Sequence, residues 1–160
     1  MQTEPGFVVD VNVGRLAKWL RVMGYDTLLH REGGDNDLVR IALREGRVLV
    51  TRDSGIAQRR VARLGQMRVV HIVDHDLHSQ LCQLVRDLHL NLDSGFSRCV
   101  CCNELLRSVA KQEVEGRLPP YVCQTQCQFM ECPQCCRLYW RGTHWANMME
   151  ELGRVYQEAG

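Results

Sequence analysis

Hydrophobic and polar positions follow two alternating periods over residues 7–88. Four short apolar runs rich in β-branched residues, FVVD (7–10), YDTLLH (25–30), RVLVT (47–51) and MRVVHIV (67–73), have the length and composition of buried strands. Between them apolar residues recur at helical spacing: Leu16, Trp19, Leu20 and Met23; Leu38, Ile41 and Ala42; Ile56, Ala57, Val61 and Leu64; and, after the last run, Leu77, Leu81, Leu84 and Leu88. Gly24, Gly46 and Gly65 close the first three of these stripes, where a helix end favours glycine. No internal repeat is visible.

Strands alternating with helices predict an α/β fold, a parallel sheet with right-handed crossovers and helices on both faces. The cleft of such a sheet lies at the carboxyl ends of its strands, where strand order reverses. Asp10 and Asp53 both follow strand ends, and a 2-1-3-4 order makes those ends neighbours. Asp37, at the start of the second helix, is delivered to the same edge. Three carboxylates gathered there repel one another unless a cation neutralises them. Hard oxygen donors suit Mg2+ or Mn2+, the ions of metal-assisted phosphodiester hydrolysis, so Asp10, Asp37 and Asp53 are candidate metal ligands and catalytic residues. The plainer alternative is a capping role for Asp37 and Asp53 and a solvated strand end for Asp10. Capping or turn roles are expected of Asp35, Asp74 and Asp76.

Composition divides the chain. Of 160 residues, nine are cysteines, and all but Cys82 fall after residue 98. The expected organisation is a sheet domain over residues 1–92 and a smaller module with a C-terminal helix over 97–152. Cys99-Val-Cys101-Cys102 and Cys132-Pro-Gln-Cys135 form two CxxC pairs, the pattern of a zinc ribbon in which Cys99, Cys102, Cys132 and Cys135 bind a structural Zn2+. Cys101 adds a competing thiol, and Cys136 stands at a knuckle position where backbone with positive φ favours glycine. Cys123 and Cys127 are candidates for a second site or for free thiols.

The formal net charge of +1 supplies no global field for polyanions, so nucleic-acid affinity must come from local basic surface. Arg15 and Lys18 follow Asp10, and Arg52 adjoins Asp53; these cations can hold phosphates or simply face solvent. After the second knuckle, Trp140 beside Tyr139, Arg141 and His144 can stack an unpaired base, whereas Trp145, Met148, Met149, Leu152 and Tyr156 form a helical stripe suited to a core. The chain has no apolar run of the about 18 residues that a membrane helix needs and no basic, apolar start of a secretory signal. The expectation is a soluble intracellular chain, cytoplasmic or nuclear, without a membrane partner.

In order along the chain, VDVNVGRLAKWLRVMGYDT, DNDLVRIALREGRVLVTRD, RCVCCNEL and CPQCCRLYWRGTHW resemble the mutator-seven C-terminal RNase-domain family, a trimmed branch of the PIN-like nucleases, over residues 7 to about 152. The resemblance implies a PIN-like parallel sheet followed by a four-cysteine zinc ribbon. It carries the metal-binding acids onto Asp10, Asp37 and Asp53, the same three that position alone brings together. It implies a metal-dependent ribonuclease, with single-stranded RNA as partner and small-RNA processing or trimming as context. In animals the family also forms the tail of a larger chain with an upstream 3′-to-5′ exonuclease domain. A catalytically inactive RNA-binding or docking module in that setting is the alternative.

Overall fold

A computed structural model describes residues 3–160. The sheet unit is built from β1 (Phe7–Asp10), α1 (Arg15–Val22), β2 (Thr27–His30), α2 (Asp35–Glu45), β3 (Val48–Thr51), α3 (Ser54–Ala57), α4 (Arg60–Arg63), β4 (Val69–His71) and α5 (Leu77–Leu88). A 3-10 turn over Val11–Val13 joins β1 to α1. The four strands are parallel in the order β2-β1-β3-β4. This is the expected α/β class.

Alternation along the strands sorts the core into two layers. Phe7, Val9, Val48 and Val50 pack with α1 and α5 residues such as Leu16, Leu20, Leu81 and Leu84. Val8 and Leu49 point the other way, onto Leu38, Val39 and Ala42 of α2 and Ile56 of α3. Both faces of the sheet are therefore covered, as its continuous apolar strands require.

The helix expected over residues 54–64 is broken. Arg59 is extended (φ −60°, ψ 148°) and separates two single-turn helices, while Leu64, expected to face inward, is exposed. Arg59 Nη1 donates to Asn36 Oδ1 at 2.7 Å, tying the break to the start of α2, and Gly55 weakens the preceding turn.

The second unit contains β5 (Arg107–Val109), α6 (Lys111–Val114), α7 (Pro120–Thr125), β6 (Phe129–Glu131) and β7 (Leu138–Tyr139), the strands forming an antiparallel sheet of order β5-β6-β7. Its small core holds Val109, Val114, Val122, Cys123 and Phe129. The long α8 (Thr143–Ala159) returns to the first unit, where Met148, Leu152 and Val155 join the layer of α1 and α5. Among the described residues no helix is long and apolar enough to cross a membrane.

The first knuckle is latched to the sheet unit. Asn103 Nδ2 donates to Asp26 Oδ1 (2.7 Å), and its Oδ1 accepts from Thr27 N–H (2.9 Å). Arg21 Nη1 donates to Val100 O (2.9 Å), and Arg98 Nε to Gly24 O (3.2 Å). Gly24 (φ +95°) lets the Ser94 segment pack against α1, since a Cβ there would lie 2.0 Å from Ser94 O.

Candidate active site and metal centre

The carboxyl edge of the parallel sheet carries a row of polar residues. Asp10 is in register with His30 on one side, and Thr51 with His71 on the other. Thr51 closes the row between them: its hydroxyl donates to Asp10 Oδ2 at 2.7 Å and accepts from Asp53 N–H at 3.0 Å. Thr51 is fully buried, so its hydroxyl satisfies both lone-pair and donor demands inside the fold. Asp10 and Asp53 thus meet through one side chain.

Asp53 is a helix cap, as the plainer alternative held. Its Oδ1 accepts from Gly55 N–H at 2.8 Å at the start of α3. Asp10 precedes the 3-10 turn without capping it. Asp37 is the third residue of α2, whose N-cap is Gly34, so it favours the helix dipole rather than capping. Its carboxylate is half-exposed, pairs with Arg40 at 3.2 Å, and folds over Gly33 (φ +97°), where a Cβ would stand 2.7 Å from Oδ2. Asp76 caps α5, its Oδ2 accepting from Ser79 N–H at 2.9 Å.

Among the described residues, the groups of three or more candidate ligands whose donor atoms lie within 4.8 Å of one another are Cys99–Cys102–Cys132–Cys135 and His78–Cys82–Glu158. Asp10, Asp37 and Asp53 do not form such a closed group. Each nevertheless keeps one carboxylate oxygen without a hydrogen-bond partner among the described residues: Oδ1 of Asp10, and Oδ2 of Asp37 and of Asp53. That donor set fits an Mg2+ or Mn2+ ion held by one or two carboxylates and several waters better than an all-protein cage.

Arg15 opens α1 and is exposed, as is Lys18 one turn on. Arg52 is held at the edge: its N–H donates to Asn12 Oδ1 (3.3 Å), its carbonyl lies 3.1 Å from His71 Nε2, and its Nη2 lies 3.2 Å from His75 Nε2. Arg52 Nε and His30 Nε2 are both buried without a hydrogen-bond partner among the described residues. Thr51, Asn12, His30 and His71 escaped the reading of the sequence. The available signal was a polar residue ending three of the apolar runs (Asp10, His30 and Thr51) and His71 interrupting the fourth, legible only once strand register is known.

The four sulfurs come from two knuckles of the same build. Asn103 N–H donates to Cys99 O, and Cys136 N–H to Cys132 O, each at 2.9 Å. Asn103 (φ 68°) and Cys136 (φ 62°) both take the left-handed conformation that ends the turn. Cys99 and Cys135 Sγ lie 3.7 Å apart, and Cys101 stands outside the group, exposed. Burial raises the Cys99 pKa, but hydrogen bonds from the Tyr139 hydroxyl and the knuckle backbone outweigh it and bring the thiol to about 6. Cys102 is pushed up to about 12, first by its hydrogen bond with Cys135. Four crowded sulfurs cannot all ionise unless a cation lies among them, and a tetrahedral thiolate set fits Zn2+. Cys123 belongs to the small core and Cys127 is exposed; neither joins the four.

In the second group, both ring nitrogens of His78 on α5 are already engaged by α8, Nδ1 with Glu151 and Nε2 with Glu158, each at 2.8 Å.

Trp140 packs against the small core and lines a cavity of about 600 Å3 that Lys18 of α1 also lines. The cavity therefore brings together two candidate nucleic-acid contacts from opposite units.

A parallel α/β sheet with an acid-bearing carboxyl edge, joined to a four-cysteine module that can hold zinc, defines the class of this protein. The match to the Mut7-C RNAse domain runs over residues 5–152, and the chain belongs to that family. Comparison with curated proteins and with solved structures found no match.

Proposed function

We propose that this domain is a metal-dependent ribonuclease that hydrolyses phosphodiester bonds of single-stranded RNA. The observation that carries the reading is the Asp10–Thr51–Asp53 relay at the sheet edge of a chain in an RNase-domain family. Asp10 and Asp53, with Asp37 of α2, would hold Mg2+ or Mn2+, directly or through water. When bound, such an ion polarises a phosphoryl oxygen and makes a coordinated water acidic.

The side chains contribute placement. Thr51 fixes the Asp10 carboxylate, and the Gly55 amide fixes that of Asp53, so neither reorganises when substrate charge arrives. Arg15 and Arg52 supply cations for flanking phosphates, contacts that position a backbone without reading bases. The four cysteines would hold Zn2+ as a structural ion, leaving no open position for chemistry. Small-RNA trimming, alone or beside an upstream exonuclease domain, is the setting the family resemblance favours.

A second reading, RNA binding without cleavage, draws on the Asp37–Arg40 pair and on the capping role of Asp53. A manganese-dependence assay separates the two. Labelled single-stranded RNA should be cut by the zinc-loaded chain with Mn2+ and not without it. Binding with no cleavage at any Mn2+ concentration selects the second reading.

A further inference from the structure

The cavity between the two units is lined by α1, the loop before the first knuckle, α7, β7 and the first turns of α8. Its walls include the rings of Phe96, Tyr121, Tyr139, Trp140 and Trp145. Lys18, Arg137 and His144 also line it, and no Asp or Glu does, although acids and bases nearly balance over the whole chain. Aromatic walls with cations and without acids suit a planar, electron-rich group attached to an anion. Gln126 and Thr143 add amide and hydroxyl groups able to meet the edge of a base.

Contacts among the wall residues hold several of the rings in place. Phe96 stands edge-on to Tyr139 (88°, centroids 6.5 Å) and to Trp145 (89°, 5.7 Å). The Tyr139 hydroxyl is pinned 3.1 Å from Cys99 Sγ and accepts from Val100 N–H at 3.1 Å, so the first knuckle holds one wall. Tyr121, by contrast, is 68 % exposed on the short α7, an uncovered ring at the mouth. The volume, about 600 Å3, falls within the range of cavities that enclose a small ligand.

The position relative to the acid edge matters as much as the lining. Arg15 begins α1 at that edge, and Lys18 lies one helical turn further, about 4.5 Å along the axis. A strand whose phosphates follow α1 passes from the acids to the cavity mouth. A base paired and stacked within a duplex cannot enter; an unpaired one can.

We propose that this cavity receives one unstacked nucleobase of a single-stranded nucleic acid, with Lys18 and Arg137 on the adjoining phosphates. Resting on the nuclease reading above, it makes the cavity the element that selects single strands and sets the distance between the anchored base and the phosphate at the acid edge.

The test is fluorescence anisotropy with the full, zinc-loaded chain in buffer without Mg2+ or Mn2+. Three labelled probes of equal length are titrated: single-stranded RNA, duplex RNA, and a strand of the same backbone with abasic sites. The single strand should bind about tenfold or more tightly than either of the others, and Tyr121→Ala should weaken it by about tenfold. Trp140→Ala should do the same, with Trp140→Phe restoring most of the loss; because Tyr121 is exposed, its variant keeps the test clear of misfolding. Equal binding of the abasic and intact strands, or wild-type affinity in Tyr121→Ala, overturns the proposal. Cleavage is read separately with Mn2+. RNA bound through its bases but never cut sinks the nuclease reading alone, whereas RNA cut but bound without regard to bases sinks the cavity proposal alone.

Discussion

The Thr51 hydroxyl donates to Asp10 Oδ2 at 2.7 Å from a side chain with no solvent exposure. A threonine ending an apolar strand is thereby the part that orients a carboxylate on the neighbouring strand. Thr51→Val keeps the shape but removes a hydroxyl that serves Asp10 and the Asp53 amide together. It should cost about 1–2 kcal/mol of stability in urea unfolding, and Thr51→Ser, which retains the hydroxyl, should cost less. Equal loss in both variants would show that the methyl group matters and the hydrogen bonds do not.

The two knuckles offer a paired test of backbone strain. Cys136 and Asn103 share the left-handed conformation, which costs a non-glycine residue about 1 kcal/mol. Cys136→Gly should therefore stabilise the zinc-loaded protein by about that amount. Asn103→Gly should destabilise it, because Asn103 also bonds Asp26 and Thr27. Thermal unfolding at saturating zinc reads both signs.

Zinc should be present at one ion per chain, bound by Cys99, Cys102, Cys132 and Cys135. Loading such a site contributes roughly 10 kcal/mol or more in small zinc peptides. Cys132→Ser should release the metal and raise hydrogen exchange across the second unit, while β1 to β4 and the α5–α8 pair stay protected. Cys101→Ser should leave zinc content unchanged.

Much of this architecture is legible in the sequence because four short apolar runs alternating with helical stripes admit few arrangements. Asp10 and Asp53 could be assigned to one edge before strand pairing was known, since Asp10 ends one strand and Asp53 lies two residues past the end of another. Thr51 could not, because its role depends on register with Asp10. The break at Arg59 was hidden by an unbroken helical stripe, and it coincides with a tertiary hydrogen bond to Asn36 that no local pattern announces. The cavity was equally hidden: Lys18 and Trp140 are remote in the chain and line one cavity only where the units face each other.

The α5–α8 contact should be pH-dependent. The hydrogen bond to Glu151 first, and then that to Glu158, raises the His78 pKa above its ordinary value of about 6.5. A raised folded-state value means that the stabilisation is fully present below the unfolded pKa and is lost as pH rises through the folded one. Glu151, lowered first by His78 and then by Arg154, loses its own contribution as pH falls below the usual carboxylate range. Wild type should therefore exceed His78→Gln in stability most between about pH 5 and 6, the difference shrinking as pH rises past the raised His78 value. Urea midpoints across pH check the sign.

The nuclease account stands or falls on cleavage by the acid variants. Wild type, Asp10→Asn and Asp53→Asn are compared on labelled single-stranded RNA with Mn2+, with RNA affinity measured beside each rate. The expected result is a loss of cleavage of about 10³-fold or more in both variants with affinity nearly unchanged, since the metal-bound acids act on the transition state rather than on binding. Wild-type cleavage by both variants would contradict the account.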